Sequence, residues 1–302
     1  MKRKFYSNGK LLLTGEYAVL DGAKALAVPT KFGQSLKITP TKSGKLKWKS
    51  FDADKRIWFE AQFSLPSLKL LSSTDIEVSK TLLNILTAVR EINNEFLDYE
   101  SGVHVETLLT FPKDWGLGTS STLINNIADW ASVDPYLLLE NTFGGSGYDI
   151  ACAQYETPLV YHLADEGPEI EAIKFQPSFS DQIYFVYLNQ KQNSREAIRN
   201  YRVQTFNKKH FLKTISAITT DIVNTDDIEV FEKLVQKHEA TLSKVLNLPP
   251  VQKRLFPDYF GAMKSLGGWG GDFVMATGNE KTPDYFKAKG FDTIIPFKDL
   301  VL

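Results

Sequence analysis

The sequence has one cysteine, no long apolar run, no internal repeat and almost no net charge, and each lack excludes something. Cys152 has no second cysteine to pair with, so no internal disulfide staples the chain, which suits a reducing compartment. No stretch approaches the ~18 consecutive apolar residues that a membrane-spanning helix needs. The basic start Met1-Lys2-Arg3-Lys4-Phe5 precedes Leu11-Leu12-Leu13, but Thr14-Gly15-Glu16 ends that run at once. A signal peptide's apolar segment needs about 7–15 residues, so the reading is a soluble, cytoplasmic protein. The 35 Lys and Arg against 36 Asp and Glu leave a formal charge of −1, which argues against a nucleic-acid or anionic-membrane partner. A small anionic substrate needs only a few well-placed cations and remains open. His104, His162 and His210 show no metal-ligand spacing, and His238 falls on an apolar helix stripe, which marks it as a core residue.

What is present is a chain of 302 residues, 43% hydrophobic, long enough for one large domain or two fused halves. The first hundred residues read as strands and turns, with strands at 34–39, 46–51 and 56–63 carrying Trp48, Trp58, Phe59 and Phe63. Leu82, Leu83, Leu86, Val89, Ile92 and Phe96 step by three and four and predict a helix over 79–97. A strand at 103–111 leads into a glycine loop and a helix from about Ser120 to Ala131. Strands follow at 158–163, 170–175 and 183–188. Helices dominate 195–265, the clearest over 227–246, which Pro249-Pro250 ends. The coarse class is α+β, strand-rich first and helix-rich later.

The segment Pro112-Lys113-Asp114-Trp115-Gly116-Leu117-Gly118-Thr119-Ser120-Ser121 lies between a strand and a helix. Gly116 and Gly118 permit a tight turn with close backbone approach, and the helix start offers unpaired N–H groups and a positive dipole end. Together they suit a polyphosphate, with the hydroxyls of Thr119, Ser120 and Ser121 available to phosphate or Mg²⁺. No Gly-Lys-Ser/Thr ends the loop, so it is not a Walker A motif, and an ordinary capped turn is the alternative reading. The five Trp are scattered and read as core, except Trp115, which abuts this loop.

Two further segments bear on that choice. Ser7-Asn8-Gly9-Lys10-Leu11-Leu12-Leu13-Thr14-Gly15-Glu16-Tyr17 opens the chain, and Lys264-Ser265-Leu266-Gly267-Gly268-Trp269-Gly270-Gly271-Asp272 lies near its end. In this order the three segments resemble the three motifs of the GHMP kinase superfamily, which includes galactokinase, homoserine kinase, mevalonate kinase and phosphomevalonate kinase. Gly144-Gly145-Ser146-Gly147-Tyr148-Asp149 is similar to the Ser-Gly-x-Asp stretch of the mevalonate and phosphomevalonate kinases. Tyr17, the glycine pair before Ser146, and Asp272 favour the phosphomevalonate branch. Asn8, Thr119, Ser121, Gly268 and Trp269 depart from the usual residues.

The resemblance implies a two-lobed fold, with a ribosomal-S5-like ATP-binding lobe over 1–165 and a ferredoxin-like lobe over 166–302. It implies ATP and Mg²⁺ as cofactors, a small-molecule acceptor from the mevalonate route to isoprenoids, and a monomer or homodimer. Asp149 and Lys10 would be catalytic, and residues 116–121 (Gly116, Leu117, Gly118, Thr119, Ser120, Ser121) would hold the triphosphate. Glu16, Ser146, Gly147, Lys191, Ser194, Lys264, Gly267 and Gly268 would line the substrate side, with Ser120 and Glu140 at the metal. Without the resemblance, Asp149 reads as the cap of a short helix over 150–153, Lys10 as a solvated lysine and Glu16 as a surface turn residue. A mevalonate diphosphate decarboxylase and a non-catalytic nucleotide- or partner-binding relative are the competing functions.

Overall fold

The computed structural model describes residues 2–269 and 271–302. Its strands are β1 (Arg3–Leu12), β2 (Ala25–Thr41), β3 (Lys45–Phe51), β4 (Ile57–Ser64), β5 (Leu70–Ser73), β6 (Gly102–Leu109), β7 (Leu159–Ala164), β8 (Gly167–Ala172), β9 (Ile183–Tyr187), β10 (Met263–Ser265), β11 (Phe273–Thr277) and β12 (Ile294–Pro296). The helices are α1 (Ile76–Ile92), α2 (Thr119–Ala131), α3 (Pro135–Glu140), α4 (Tyr148–Gln154), α5 (Ser194–Arg202), α6 (Lys208–Asn224), α7 (Ile228–Leu246), α8 (Val251–Leu255), α9 (Thr282–Ala288) and α10 (Phe297–Leu300). No described helix is long and apolar enough to cross a membrane.

The chain forms two compact units that are not contiguous in sequence. The first comprises Met1–Gly9, Phe32–Lys113 and Leu117–Gln154, and the second Lys10–Lys31, Asp114–Gly116 and Tyr155–Leu302. In the first unit the strand order is β5-β4-β3-β6-β2, antiparallel except for the parallel pair β3–β6. Burial alternates along β3 and, from Trp58 onward, along β4, as a half-buried strand of period two requires. The inward residues Leu46, Trp48, Phe59 and Phe63 share one core with Leu82, Leu86 and Val89 of α1 and Ile124 and Ile127 of α2. Asp75 starts α1 by accepting from the N–H groups of Glu77 and Val78, three residues before the predicted start, and the helix ends at Ile92 instead of residue 97.

In the second unit a four-stranded antiparallel sheet runs β10-β11-β9-β12, with Phe273 opposite Tyr187 and Val274 opposite Val186. The hairpin β7–β8 pairs with the start of β2, Ala25 opposite Tyr161. Asp227 caps α7 through the N–H groups of Glu229 and Val230, and Asn247 at φ 52° ends it. Pro250 then stands at the N-cap of α8, the punctuation expected of the proline pair.

Candidate functional site

In the first unit the site begins where the chain leaves β6. Gly118 occupies the position before α2 at φ 94°, in left-handed space where a side chain is strained, and no side chain caps the helix. The first N–H groups of α2 are therefore left for another acceptor. The hydroxyls divide their work. Ser121 is 2% exposed and donates to the Gly118 carbonyl at 3.0 Å, so it braces the loop from within. Thr122 donates beside it, while Ser120 is exposed and Leu117 is sealed in the core.

Beside Thr119 and Ser120 opens a pocket with about 550 Å³ of empty space, partly open to solvent. Its walls are mostly apolar (Trp48, Trp58, Phe59, Leu82), with Ser50 and Thr107 among its polar groups. Apolar walls with a few polar groups are the usual lining of a small-molecule site. Nothing in the spacing of the tryptophans marked Trp58 as a pocket residue, because the pocket forms only when β3, β4 and α1 come together.

α4 packs against α2 and carries Asp149 as its second residue, half-buried. Asp149 is thus inside the helix's first turn and is not its N-cap, contrary to the simpler reading. Gly144, Gly145 and Gly147 precede it at φ 64°, 115° and 86°, with Ser146 buried between them. Glu140 ends α3 with its side chain exposed, and Leu138 is fully buried.

In the second unit three distant segments meet at Gly116. Lys10 Nζ donates to the Gly116 carbonyl at 3.1 Å. From the other side, a Cβ built on Gly116 would lie 2.7 Å from the Cγ and Oδ1 of Asp272, so only glycine fits there. Trp115 anchors this stretch, with its ring 6.3 Å from Tyr187 and edge-on to Phe273 at 5.6 Å, while the Tyr187 hydroxyl donates to the Asp114 carbonyl. Lys191 lies 3.8 Å from Asp114, both half-exposed, a pair too solvated to hold much.

Glu16 and Lys264 are not at a surface. Lys264 is fully buried and donates to the Glu16 carboxylate and, at 2.9 Å, to the Ser265 carbonyl. Burial pushes the Glu16 carboxyl up, opposed by the Lys264 charge. His238 is also fully buried, and its Nε2 accepts the Gly15 N–H at 3.0 Å. Burial first, and Lys264 second, hold its pKa well below the usual value, so the ring is neutral and its 3.6 Å approach to Glu16 is no ion pair. Glu239 accepts from the N–H and hydroxyl of Ser265, and burial lifts its carboxyl to about 7. The sequence placed His238 in the core, and it gave no sign of the carboxylates gathered around it.

Gly267, at φ 65°, faces the Asp272 carboxylate, and Gly268 packs against Gln192 and Ala197. Trp269 is 4% exposed and belongs to an apolar cluster with Tyr17, Tyr201 and Leu242. Asn193 caps α5, which opens at Ser194. The Ser194 side chain and Gly270 lie outside the described residues.

No protein-family model and no curated protein matches the sequence. Solved structures do match. The mevalonate kinase of Methanococcus jannaschii superposes with a TM-score of 0.72 at 18% identity, covering 98% of this chain and 97% of that one. Streptococcus pneumoniae phosphomevalonate kinase, in complex with phosphomevalonate and AMPPNP, gives 0.68 at 14% identity and covers 95% of each chain. A mevalonate diphosphate decarboxylase from Legionella pneumophila gives 0.59 at 11% identity, over 98% of this chain and all of that one. At such identities the likeness is one of architecture, and over nearly its whole length this chain has the GHMP kinase fold.

Proposed function

We propose that the protein transfers the γ-phosphoryl group of ATP to a hydroxyl or phosphate of a small metabolite, with mevalonate or its 5-phosphate as the acceptor. The observation that carries this reading is the meeting at Gly116 of Lys10 from the opening segment and Asp272 from the closing one. These are residues of the three motifs that resemble the GHMP kinases, more than 100 positions apart in sequence. The AMPPNP in the complexed phosphomevalonate kinase, which shares this fold, supports a nucleoside triphosphate as donor.

Phosphoryl transfer asks for positioning and charge neutralisation more than for covalent chemistry. The open N–H groups at the start of α2 would take the triphosphate, and the pocket lined by Trp48, Trp58 and Phe59 its nucleoside. Lys10 would neutralise charge on the transferred group. Asp149 would orient the acceptor and, for a hydroxyl acceptor, take its proton as the bond to phosphorus forms. An acceptor that is already a phosphate needs no such base. Among the described residues no three His, Cys, Asp or Glu side chains gather into a metal cage. Mg²⁺ takes one or two protein oxygen ligands when its other partners are phosphates, and the exposed Ser120 hydroxyl and Glu140 carboxylate would be those ligands here. Bound there, the ion would supply charge neutralisation on the triphosphate.

The test is ATP consumption with Mg²⁺ against mevalonate, mevalonate 5-phosphate, its diphosphate, homoserine and sugars. Turnover with one of the first two is expected. CO₂ release from the diphosphate would replace this reading with a decarboxylase, and no turnover with any of them would end it.

A further inference from the structure

Asp272 combines two unfavourable features. Its φ is +52°, a region that most residues with side chains avoid and Asp visits more readily, and the residue is only 9% exposed. Local bonds explain part of this. Its N–H donates to the Gln190 carbonyl at 2.6 Å, its carbonyl accepts from Leu188 at 2.8 Å, and Oδ1 accepts from Gln192 N–H at 3.2 Å. None of these bonds requires a charge, since an amide oxygen would accept from Gln192 equally well. The charge matters toward Gly116. The carboxyl lies against that residue, whose carbonyl holds Lys10; burial pushes the Asp272 pKa up, and the Gln192 N–H and the charges of Lys10 and Lys191 oppose that shift. Nearby titratable groups are Tyr17, kept neutral by burial, Glu16 and Asp272, Tyr187, kept neutral by burial, Asp114 and Asp272, and Asp114, which faces Lys191.

We propose that Asp272 is a positioning residue: its negative charge keeps the Lys10 ammonium at the Gly116 carbonyl, at the expense of affinity for the triphosphate. The idea rests on the phosphotransfer reading, because Lys10 is there the cation that meets the transferred group. A carboxylate at a phosphate loop repels the ground-state ligand, so its retention makes sense only where placing the lysine matters more than tight binding.

The experiment compares wild type with Asp272→Asn, which keeps the shape and the Gln192 bond. Asp272→Gly, which is at ease at φ +52°, covers the case in which the amide folds poorly. Binding of inorganic tripolyphosphate and of AMPPNP is measured by calorimetry, and acetylation of Lys10 at pH 8 by mass spectrometry. Both variants should bind tripolyphosphate on the order of 3- to 10-fold more tightly, the effect of removing one nearby like charge. They should also acetylate Lys10 at least ~3-fold faster, since losing a neighbouring carboxylate eases deprotonation of an amine. A merely structural role would weaken binding instead. Unchanged or weaker binding together with unchanged labelling overturns the proposal and leaves the phosphotransfer reading standing. A wild-type protein that binds neither probe overturns both.

Discussion

Lys264 is bonded to Glu16, 248 positions away in sequence, and the two side chains are 0% and 1% exposed. A buried pair like this is weak evidence of net stability, because desolvation offsets the attraction, but losing one partner strands a charge. Glu16→Gln or Lys264→Met should each destabilise the protein by about 3–5 kcal/mol in urea unfolding. The double variant Glu16→Gln/Lys264→Met should cost clearly less than the sum. Additive losses would show that the two residues do not act as a pair.

Glu239 makes stability depend on pH. Its folded pKa is about 7, against 4.5 for the free carboxyl. Between those values the folded state binds more protons than the unfolded one, so this group's contribution declines as pH rises from 4.5 to 7. His238 works in the opposite sense, since its depressed pKa makes stability rise with pH up to 6.5. Glu239→Gln isolates the first effect: relative to wild type, the variant should gain up to roughly 3 kcal/mol between pH 5 and pH 8. A difference that stays flat over that interval would count against a buried, proton-hungry Glu239.

Trp269 stands in the late glycine-rich turn at φ 48° and fills the cluster with Tyr17 and Tyr201. Trp269→Gly removes a large buried side chain, at about 3–5 kcal/mol, and relieves about 1 kcal/mol of backbone strain. The net loss expected in denaturant unfolding is about 2–4 kcal/mol. A neutral or stabilising outcome would mean that the indole adds little to packing.

Lys10→Met and Asp149→Asn should each lower turnover at least ~10²-fold, the lower range for a positioned proton-transfer group, with circular dichroism and melting temperature little changed. Near-normal rates in both variants would remove these two residues from the mechanism. The Asp149 variant should matter less if the acceptor proves to be a phosphate.

The regular elements were largely legible in the residues, because periodicity is a local property. The stripe from Ile228 to Val245 gave α7 to within one residue, and the bulky aromatic residues Trp48, Trp58, Phe59 and Phe63 gave β3 and β4. β2 was legible only over 34–39, although it runs from Ala25 to Thr41. Its residues 25–30 are buried on both faces, so no alternation marks them, and Pro29 within the run argued against a strand. The glycine loop stood out by residue type, since glycine permits a tight turn with close backbone approach, whereas Lys10 and Asp149 stood out only through the resemblance of their motifs. Tertiary structure alone decided what surrounds them. Lys264 and Glu16 have charged side chains that sequence assigns to a surface or a ligand. Folding brings the turn after β1, α7 and β10 together, and in that low-dielectric interior each charge is stable only beside the other. Asp272 against Gly116 is the same kind of fact: residue type admits it, and only the packing of two glycine turns creates it.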